Sequence, residues 1–456
     1  MSSSPDTAAD PLTCLVQQAM QHHAAGRPAD ARALYNQVLA QDPAHPDALH
    51  LLGLIEAQAG NHQQAQALIW QAIQARPGEA MFHNNLANVC VELGQLDHAE
   101  AMYVRALELD GSRTDALSNL GVLLGKTKRL DDAERLLLKA IELAPSNPDW
   151  RQNLANLYLA QGRDVEALTQ CHDGLVIAPR SRVLRALLVM AYTALGLNDK
   201  AVAVLQAWIQ NAPDDPYPHH HLAACTGQQV PDRAADAYVA SVFDGFARSF
   251  DAKLADLSYQ APQLVADEVM RRVGAPAQVL AVLDVGCGTG LCGPLLAPFA
   301  GTLTGVDLSE GMLRKAAERQ CYTHLFQGEL VAFLSAQPDA YGLIASADTL
   351  CYFGKLDGFA QAAKTALRSG GVLVFTVEAH GDESSRADAH NNGDEGAVPD
   401  YILRGHGRYS QSRRYVVSSL QIAGLVDVQA QPVVLRNEGG KPVSGWLVSA
   451  RAASAA

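Results

Sequence analysis

The sequence predicts two folds in series, an all-α repeat solenoid and then a Rossmann-like, doubly wound α/β domain. Two observations carry this α + α/β reading. In the first half of the 456 residues alanine recurs every 34 positions, at Ala31, Ala65, Ala99, Ala133, Ala167 and Ala201, and a fixed period of that length marks stacked helical hairpins. In the second half residues 281–290 read AVLDVGCGTG, an apolar strand followed by three glycines at every second position. Such a strand is buried on both faces, and glycines just after it let a ligand approach bare backbone.

Composition sets limits on function. With 48% hydrophobic residues a chain of this length buries at least two cores. The formal charge of −13, most of it before residue 241, argues against a nucleic-acid binder, which needs a basic face. The eight cysteines form no C-x-x-C pair and no dense disulfide spacing. With Met-Ser-Ser-Ser at the start and no apolar leader, this predicts a reduced, cytoplasmic protein. No apolar run is long enough to span a bilayer. No metal is expected: His219, His220 and His221 are consecutive helical positions that point different ways.

Taken in order, residues 1–11 are rich in Ser, Pro, Ala and Asp, and are expected to be disordered. Two more lattices then share the 34-residue period. Pro43, Pro77, Pro145, Pro179 and Pro213 form one, with Gly111 at the missing place, and Gly26, Gly60, Gly94, Gly162 and Gly196 form the other, broken by Lys128. The glycine ends a first helix, the alanine lets two helices approach, and the proline stops the second helix. This resembles the tetratricopeptide repeat, with six units between residues 12 and 215 and a degenerate seventh that closes the array at 235. Asn85, Asn119 and Asn153 occupy one place in three successive first helices, with Asn88 and Asn156 three residues further on two of them. First helices line the concave side of such solenoids, so the amides form a ladder. It either pairs with an extended peptide backbone, as in the resembling ladder of O-linked N-acetylglucosamine transferase, or bonds neighbouring helices and water.

From residue 236 the period changes. Residues 237–257 read as an aromatic-rich helix and 263–273 as another. Phe243, Phe246, Phe250 and Tyr259 then serve as a lid over a ligand or as an ordinary core stripe at helical spacing. After Asp284, the spacing G-x-G-x-G of Gly286, Gly288 and Gly290 departs from the dinucleotide fingerprint. Asp307 ends the next strand, where a carboxylate can accept both ribose hydroxyls. Further strands are expected at 322–326, 341–347 and 372–377, and a hairpin about Gly439-Gly440 at the end.

The order D-x-G-x-G-x-G, strand, acidic residue, then Ser309-Glu310-Gly311-Met312-Leu313 resembles class I S-adenosylmethionine-dependent methyltransferases. With the repeats, and with the segments FDGFARSFD, ADTLCYFGKL, GRYSQSRRYV and LRNEGGKPVSGWLV, the whole chain resembles bacterial tetratricopeptide-containing methyltransferases. The resemblance implies S-adenosylmethionine as cofactor. It would be held by Asp284, Gly286, Cys287, Gly288, Gly290, Asp307, Leu308, Met312, Gly328, Glu329 and Ala347, with Glu329 toward the adenine. Two positions depart from the pattern, Gly342 in place of an aspartate and Gln411 in place of a histidine.

Methyl transfer needs an aligned nucleophile, a dry site and sometimes a base. His380, Tyr352, Tyr401, Arg408 and Tyr409 are the polar candidates near the carboxyl edge of the sheet. His380 is either a base or a loop histidine without a role, and Arg408 is a candidate for binding a substrate carboxylate or phosphate. Three functions stay open on the sequence. The repeats recruit or present a protein or peptide that is methylated; the acceptor is a small molecule and the repeats dock a partner; or the array is the function and the second domain is not catalytic. The intact glycines and Asp307 argue against the last.

Overall fold

The computed structural model describes residues 10–247, 250–380 and 398–454. By its internal contacts the chain divides into two compact units, Met1–Ala191 and Tyr192–Ala456. The boundary falls inside a helix, and the boundary expected at 235/236 lies within the second unit.

The repeat helices run α1 (Pro11–Ala24), α2 (Pro28–Gln41), α3 (Pro46–Gln58), α4 (His62–Ala75), α5 (Ala80–Glu92), α6 (Leu96–Leu109), α7 (Thr114–Lys126), α8 (Leu130–Leu143), α9 (Pro148–Ala160), α10 (Asp164–Ile177), α11 (Arg182–Ala194) and α12 (Asn198–Asn211). Their starts keep the sequence period, because the devices that make each hairpin are local. All six lattice alanines are fully buried. At Gly121 a Cβ would come within 2.9 Å of Leu137, so glycine is needed for the close approach of α7 and α8. The turns at Gly26, Gly60, Gly94, Gly162 and Gly196 have φ between 69° and 85°. Lys128 adopts the same left-handed turn at φ 66°. The expected disorder of residues 1–11 ends too late: Asp10 and Pro11 begin α1, where the Asp10 carboxylate accepts from the Leu12 N–H. Residues 1–9 lie outside the described residues.

In the second unit α13 (Pro216–Thr226) and α14 (Asp236–Phe246) stand where the degenerate repeat was expected. They belong with the sheet. His220 Nε2 donates to Gly407 O at 2.8 Å, the Ala234 N–H to Tyr352 O at 2.8 Å, and Tyr409 OH to Pro231 O at 2.8 Å. The single helix expected over 237–257 is two, α14 and α15 (Phe250–Asp256), followed by α16 (Ala261–Val273).

The sheet then builds through β1 (Leu280–Val285), α17 (Gly293–Leu296), β2 (Ala300–Asp307), α18 (Glu310–Glu318), β3 (His324–Gln327), α19 (Leu330–Ser335), β4 (Tyr341–Ser346), α20 (Asp357–Ala366) and β5 (Leu367–Ala379). β6 (Tyr401–Leu403), β7 (Tyr409–Gln411), α21 (Arg413–Ile422), β8 (Leu425–Glu438) and β9 (Lys441–Ala452) complete it. β3-β2-β1-β4-β5 are parallel neighbours; β9 is antiparallel to β5 and to β8, which puts β8 parallel to the first five. Alternate side chains divide between two cores: Leu283, Ile344 and Phe375 pack with Phe359 and Leu334, while Val282, Leu343 and Val374 pack with Val265 and Leu296. The Gly439-Gly440 turn has φ 55° and 76°, as a tight hairpin requires. The β6–β7 hairpin was not foreseen. It pairs with β5 beyond the end of β4, on the edge away from β9.

Lys128 generates a stability prediction. A non-glycine residue in the left-handed region costs about 1–2 kcal/mol, partly offset by the larger unfolded-state entropy of glycine. Lys128→Gly should therefore stabilise the array by about 0.5–1 kcal/mol. Urea unfolding followed by circular dichroism checks it; an unchanged or lower midpoint would refute the strain.

Candidate functional site

A cleft opens at the carboxyl ends of β1 and β4, where the connections from neighbouring parallel strands leave in opposite directions. The loop after β1 forms its floor. Gly286 N–H and Cys287 N–H both donate to Val306 O, at 2.8 and 3.1 Å, and Gly288 N–H donates to Asp307 Oδ2 at 2.9 Å. The other oxygen, Oδ1, accepts from the Ser309 N–H at 2.9 Å. Burial raises the Asp307 pKa against the lowering effect of these N–H donors. The glycines differ in purpose. Gly288, at φ 54°, has no atom within 4 Å of where a Cβ would sit, so the space before its backbone is open. A Cβ on Gly286 would instead strike the Thr349 side chain at 2.2 Å, and one on Gly290 the Tyr322 ring at 2.9 Å.

Of the residues expected to hold a cofactor, Gly286, Cys287, Gly288, Asp307, Leu308, Gly328, Glu329 and Ala347 line the cleft. Asp284, Gly290 and Met312 do not. Asp284 is buried and accepts from Tyr322 OH at 2.6 Å, so it braces the loop from behind. Burial, only partly countered by Tyr322, raises its pKa to about 7. Met312 is buried in α18. Glu329 caps α19 through Val331 N–H and Ala332 N–H at 3.0 and 2.7 Å, so its carboxylate is already shared with a helix end. The helix after the loop is short; α17 covers only Gly293–Leu296.

The opposite wall is aromatic. Phe243, Phe250 and Tyr259 line the cleft, whereas Phe246 is 41% exposed and does not. Each phenylalanine of the wall precedes an aspartate that ties its helix down. Asp244 accepts from Ser309 Oγ at 2.5 Å and Gly311 N–H at 3.3 Å; Asp251 accepts from Thr289 Oγ1 and pairs with Arg319 at 2.5 Å. The Phe-Asp pair repeated in FDGFARSFD was the available signal for these anchors.

The candidates for chemistry separate. Tyr352 lines the cleft, but burial raises its pKa well above 10, so it keeps its proton near neutrality. His380, Arg408, Tyr409 and Tyr401 do not line it. His380 Nε2 donates to Pro399 O at 2.7 Å, and its buried Nδ1 has no hydrogen-bond partner among the described residues. Arg408 is committed through Nε to Glu378 at 2.6 Å and through Nη2 to Glu438 at 2.7 Å. Tyr409 is fully buried on Pro231. Gln411, where a histidine was expected, is a fully buried strut from Nε2 to Phe353 O. Residues 381–397 lie outside the described residues.

Asp348 and its partners escaped the sequence reading. Asp348 lines the cleft directly after β4, at φ 52°. Its carboxylate pairs with Arg436 at 2.5 Å and accepts from Thr376 Oγ1 at 3.3 Å. Arg436, 4% exposed, also pairs with Glu378 and Glu438. These residues come from three distant strands or loops, and no local spacing announces them.

In the repeats, the ladder amides turn to their neighbours. Asn85 Nδ2 bonds His50 Nε2 at 2.9 Å, Asn119 Nδ2 donates to Asn84 Oδ1 at 3.3 Å and Asn88 Oδ1 at 3.1 Å, and Asn153 Nδ2 donates to Ser118 Oγ at 2.9 Å. Asn88, Asn119 and Asn153 still line one groove with Tyr103 and Lys126, and Asn156 is exposed.

Residues 282–371 match the family model of a methyltransferase domain; 22–89, 126–183 and 78–146 match tetratricopeptide repeat models. The chain thus joins tetratricopeptide repeats to a methyltransferase domain. It is similar to human methyltransferase-like protein 27 (37% identical, 21% of this chain and 38% of that one) and to trans-aconitate 2-methyltransferase of Paracidovorax citrulli (32%, covering 26% and 46%). Malonyl-[acyl-carrier protein] O-methyltransferase of Acetivibrio thermocellus is 33% identical over 22% of this chain and 36% of that one. The chain therefore spans less than half the length of each of these curated relatives. Among solved structures, pilF of Pseudomonas aeruginosa is similar at 17% identity and a TM-score of 0.41, covering 46% of this chain and 96% of that one. No helix of the described residues is long and apolar enough to cross a membrane.

Two predictions follow from the loop. Without ligand, Gly290→Ala should destabilise the second unit by about 1–3 kcal/mol through overpacking and positive φ, and more than Gly288→Ala, which has only the φ cost. Thermal unfolding of both variants decides it; equal losses would mean that the Tyr322 contact yields freely. Asp284 titrates near 4 when unfolded and about 7 when folded, so the folded state is penalised progressively from pH 4 upward and fully above 7. Asp284→Asn should raise the unfolding midpoint at pH 8 and leave it near wild type at pH 4; a gain of the same size at both pH values would contradict the buried titration.

Proposed function

We propose that the cleft binds S-adenosylmethionine and that the chain transfers its methyl group to a protein or peptide recruited through the repeats. The observation that carries the cofactor reading is the open backbone of Gly288 beside the Asp307 carboxylate. A carboxylate oxygen has more than one lone-pair site, so each Asp307 oxygen can take a ribose hydroxyl beside its backbone N–H. The bound cofactor supplies an activated methyl group on a sulfonium. Phe243, Phe250 and Tyr259 then exclude water, and Thr349 fixes the loop by donating to Gly286 O at 3.1 Å. The recruiting role rests on the groove that Asn88, Asn119 and Asn153 share with Tyr103 and Lys126. The amides' bonds between repeats favour a structural share in that ladder, leaving the remaining lone pairs and N–H groups for a partner. A small-molecule acceptor is the second reading, favoured by the relative named for trans-aconitate.

Calorimetry on the full chain should give binding of S-adenosylmethionine and S-adenosylhomocysteine, and Asp307→Ala should weaken both by about 1.5–3 kcal/mol, or roughly one to two orders of magnitude. Absence of heat for either ligand removes the reading. Incubation with lysate and isotope-labelled cofactor then separates the two acceptors by whether the label travels with protein.

A further inference from the structure

We propose that the acceptor end of the cleft is built for an amine, held and deprotonated at the Asp348 carboxylate; this rests on the methyl-transfer reading and names its substrate class. The sheet separates the two ends. Asp307 and Glu329 follow β2 and β3, on one side of β1, whereas Asp348 and Tyr352 follow β4 on the other. Strands lie about 4.8 Å apart, so about two strand widths, roughly 10 Å, divide the Asp307 end from the Asp348 end.

Charge selects what can enter there. Among the described residues lining the cleft Arg233 is the only basic one, and it is bound to Asp236. Behind Asp348, the carboxylates of Asp348, Glu378 and Glu438 share the guanidiniums of Arg408 and Arg436, so three carboxylates stand against two guanidiniums. His406 lies 3.8 Å from Glu378, but 44% of its side chain is exposed, so it stands at the solvent edge and outside the buried layer. A carboxylate or phosphate acceptor would meet no free cation. An ammonium would meet Asp348 and a wall formed by Phe243, Phe250, Tyr352 and Phe353, and aromatic faces attract cations once water is excluded. The Phe243 ring lies 5.4 Å from that of Tyr352 and 5.9 Å from that of Phe250, so the wall is continuous. Burial also raises the Asp348 pKa despite Arg436, which suits a proton acceptor.

The step balances. The ammonium gives a proton to the Asp348 carboxylate; the freed nitrogen lone pair forms the N–C bond as the C–S bond breaks, its electron pair remaining on sulfur. The products are a methylated ammonium, a neutral thioether and the proton, which Asp348 passes to solvent. Two positive charges enter and two leave.

The test uses the full chain loaded with S-adenosylhomocysteine and two probes, Nα-acetyl-lysine methylamide and Nα-acetyl-glutamate methylamide, followed by ligand-observed NMR. The lysine compound should bind at least about tenfold more tightly, a difference of about 1.4 kcal/mol. Asp348→Asn should erase that preference while the affinity for S-adenosylhomocysteine stays within about twofold. Equal binding, preference for the glutamate compound, or no binding of either by wild-type protein overturns the proposal whether or not the variant folds. A preference that survives in a folded Asp348→Asn overturns the role of Asp348. Failure of wild-type protein to take up S-adenosylhomocysteine would instead defeat the methyl-transfer reading itself.

Discussion

The hydrogen bond from Gly288 N–H to the Asp307 carboxylate is the constraint on which the site depends. It joins the loop after one strand to the end of its neighbour, and it exists only because β1 and β2 end in register, Val285 beside Val306. Val306 O takes the N–H groups of Gly286 and Cys287, so the chain must turn sharply, and glycine supplies the positive φ at 286, 288 and 290. Once the loop is held this way, only position 288 leaves open space. The other two glycines make room for Thr349 and for Tyr322. A motif that reads as three equivalent glycines is one opening and two packing contacts.

The aromatic wall obeys the same division between anchor and surface. In α14 and α15 Phe243 and Phe250 meet the cleft, while the adjacent aspartates bind Ser309, Gly311, Thr289 and Arg319. Adjacent helical positions point about 100° apart, so one residue can face a ligand while the next holds the helix to α18 and the glycine loop. The wall's position is therefore tied to the same loop that shapes the floor.

Much of this was legible in the sequence, for reasons that differ by region. The repeats were read nearly to the residue because glycine, alanine and proline act on their own hairpin. The strands and Asp307 were read because parallel strands are continuous apolar runs that end abruptly. The charged layer about Arg436 was not, since Asp348 and Glu378 reach this β8 residue from the loop after β4 and from β5, and nothing but the fold brings those segments together. Arg408 and His380 misled for the same cause: proximity in sequence to the carboxyl edge did not reveal that a buried glutamate and a carbonyl already occupied them.

The unit boundary makes the limit of periodicity explicit. α12 and α13 keep the 34-residue spacing, yet both fall in the unit that contains the sheet. The period records how a hairpin is made, whereas the unit is set by which core a helix joins. On α13 the buried residues include His220 and His221, whose rings lie 4.1 and 5.9 Å from that of Tyr238 in α14. Burial lowers the pKa of both imidazoles, so they stay neutral and serve as packing surfaces with one polar edge, His220 toward Gly407 O and His221 toward Tyr238 OH. A repeat that packed only on further repeats would have no use for two such edges. The consecutive histidines, unsuited to a metal by their helical spacing, are the positions at which the repeat pattern is adapted to a different neighbour.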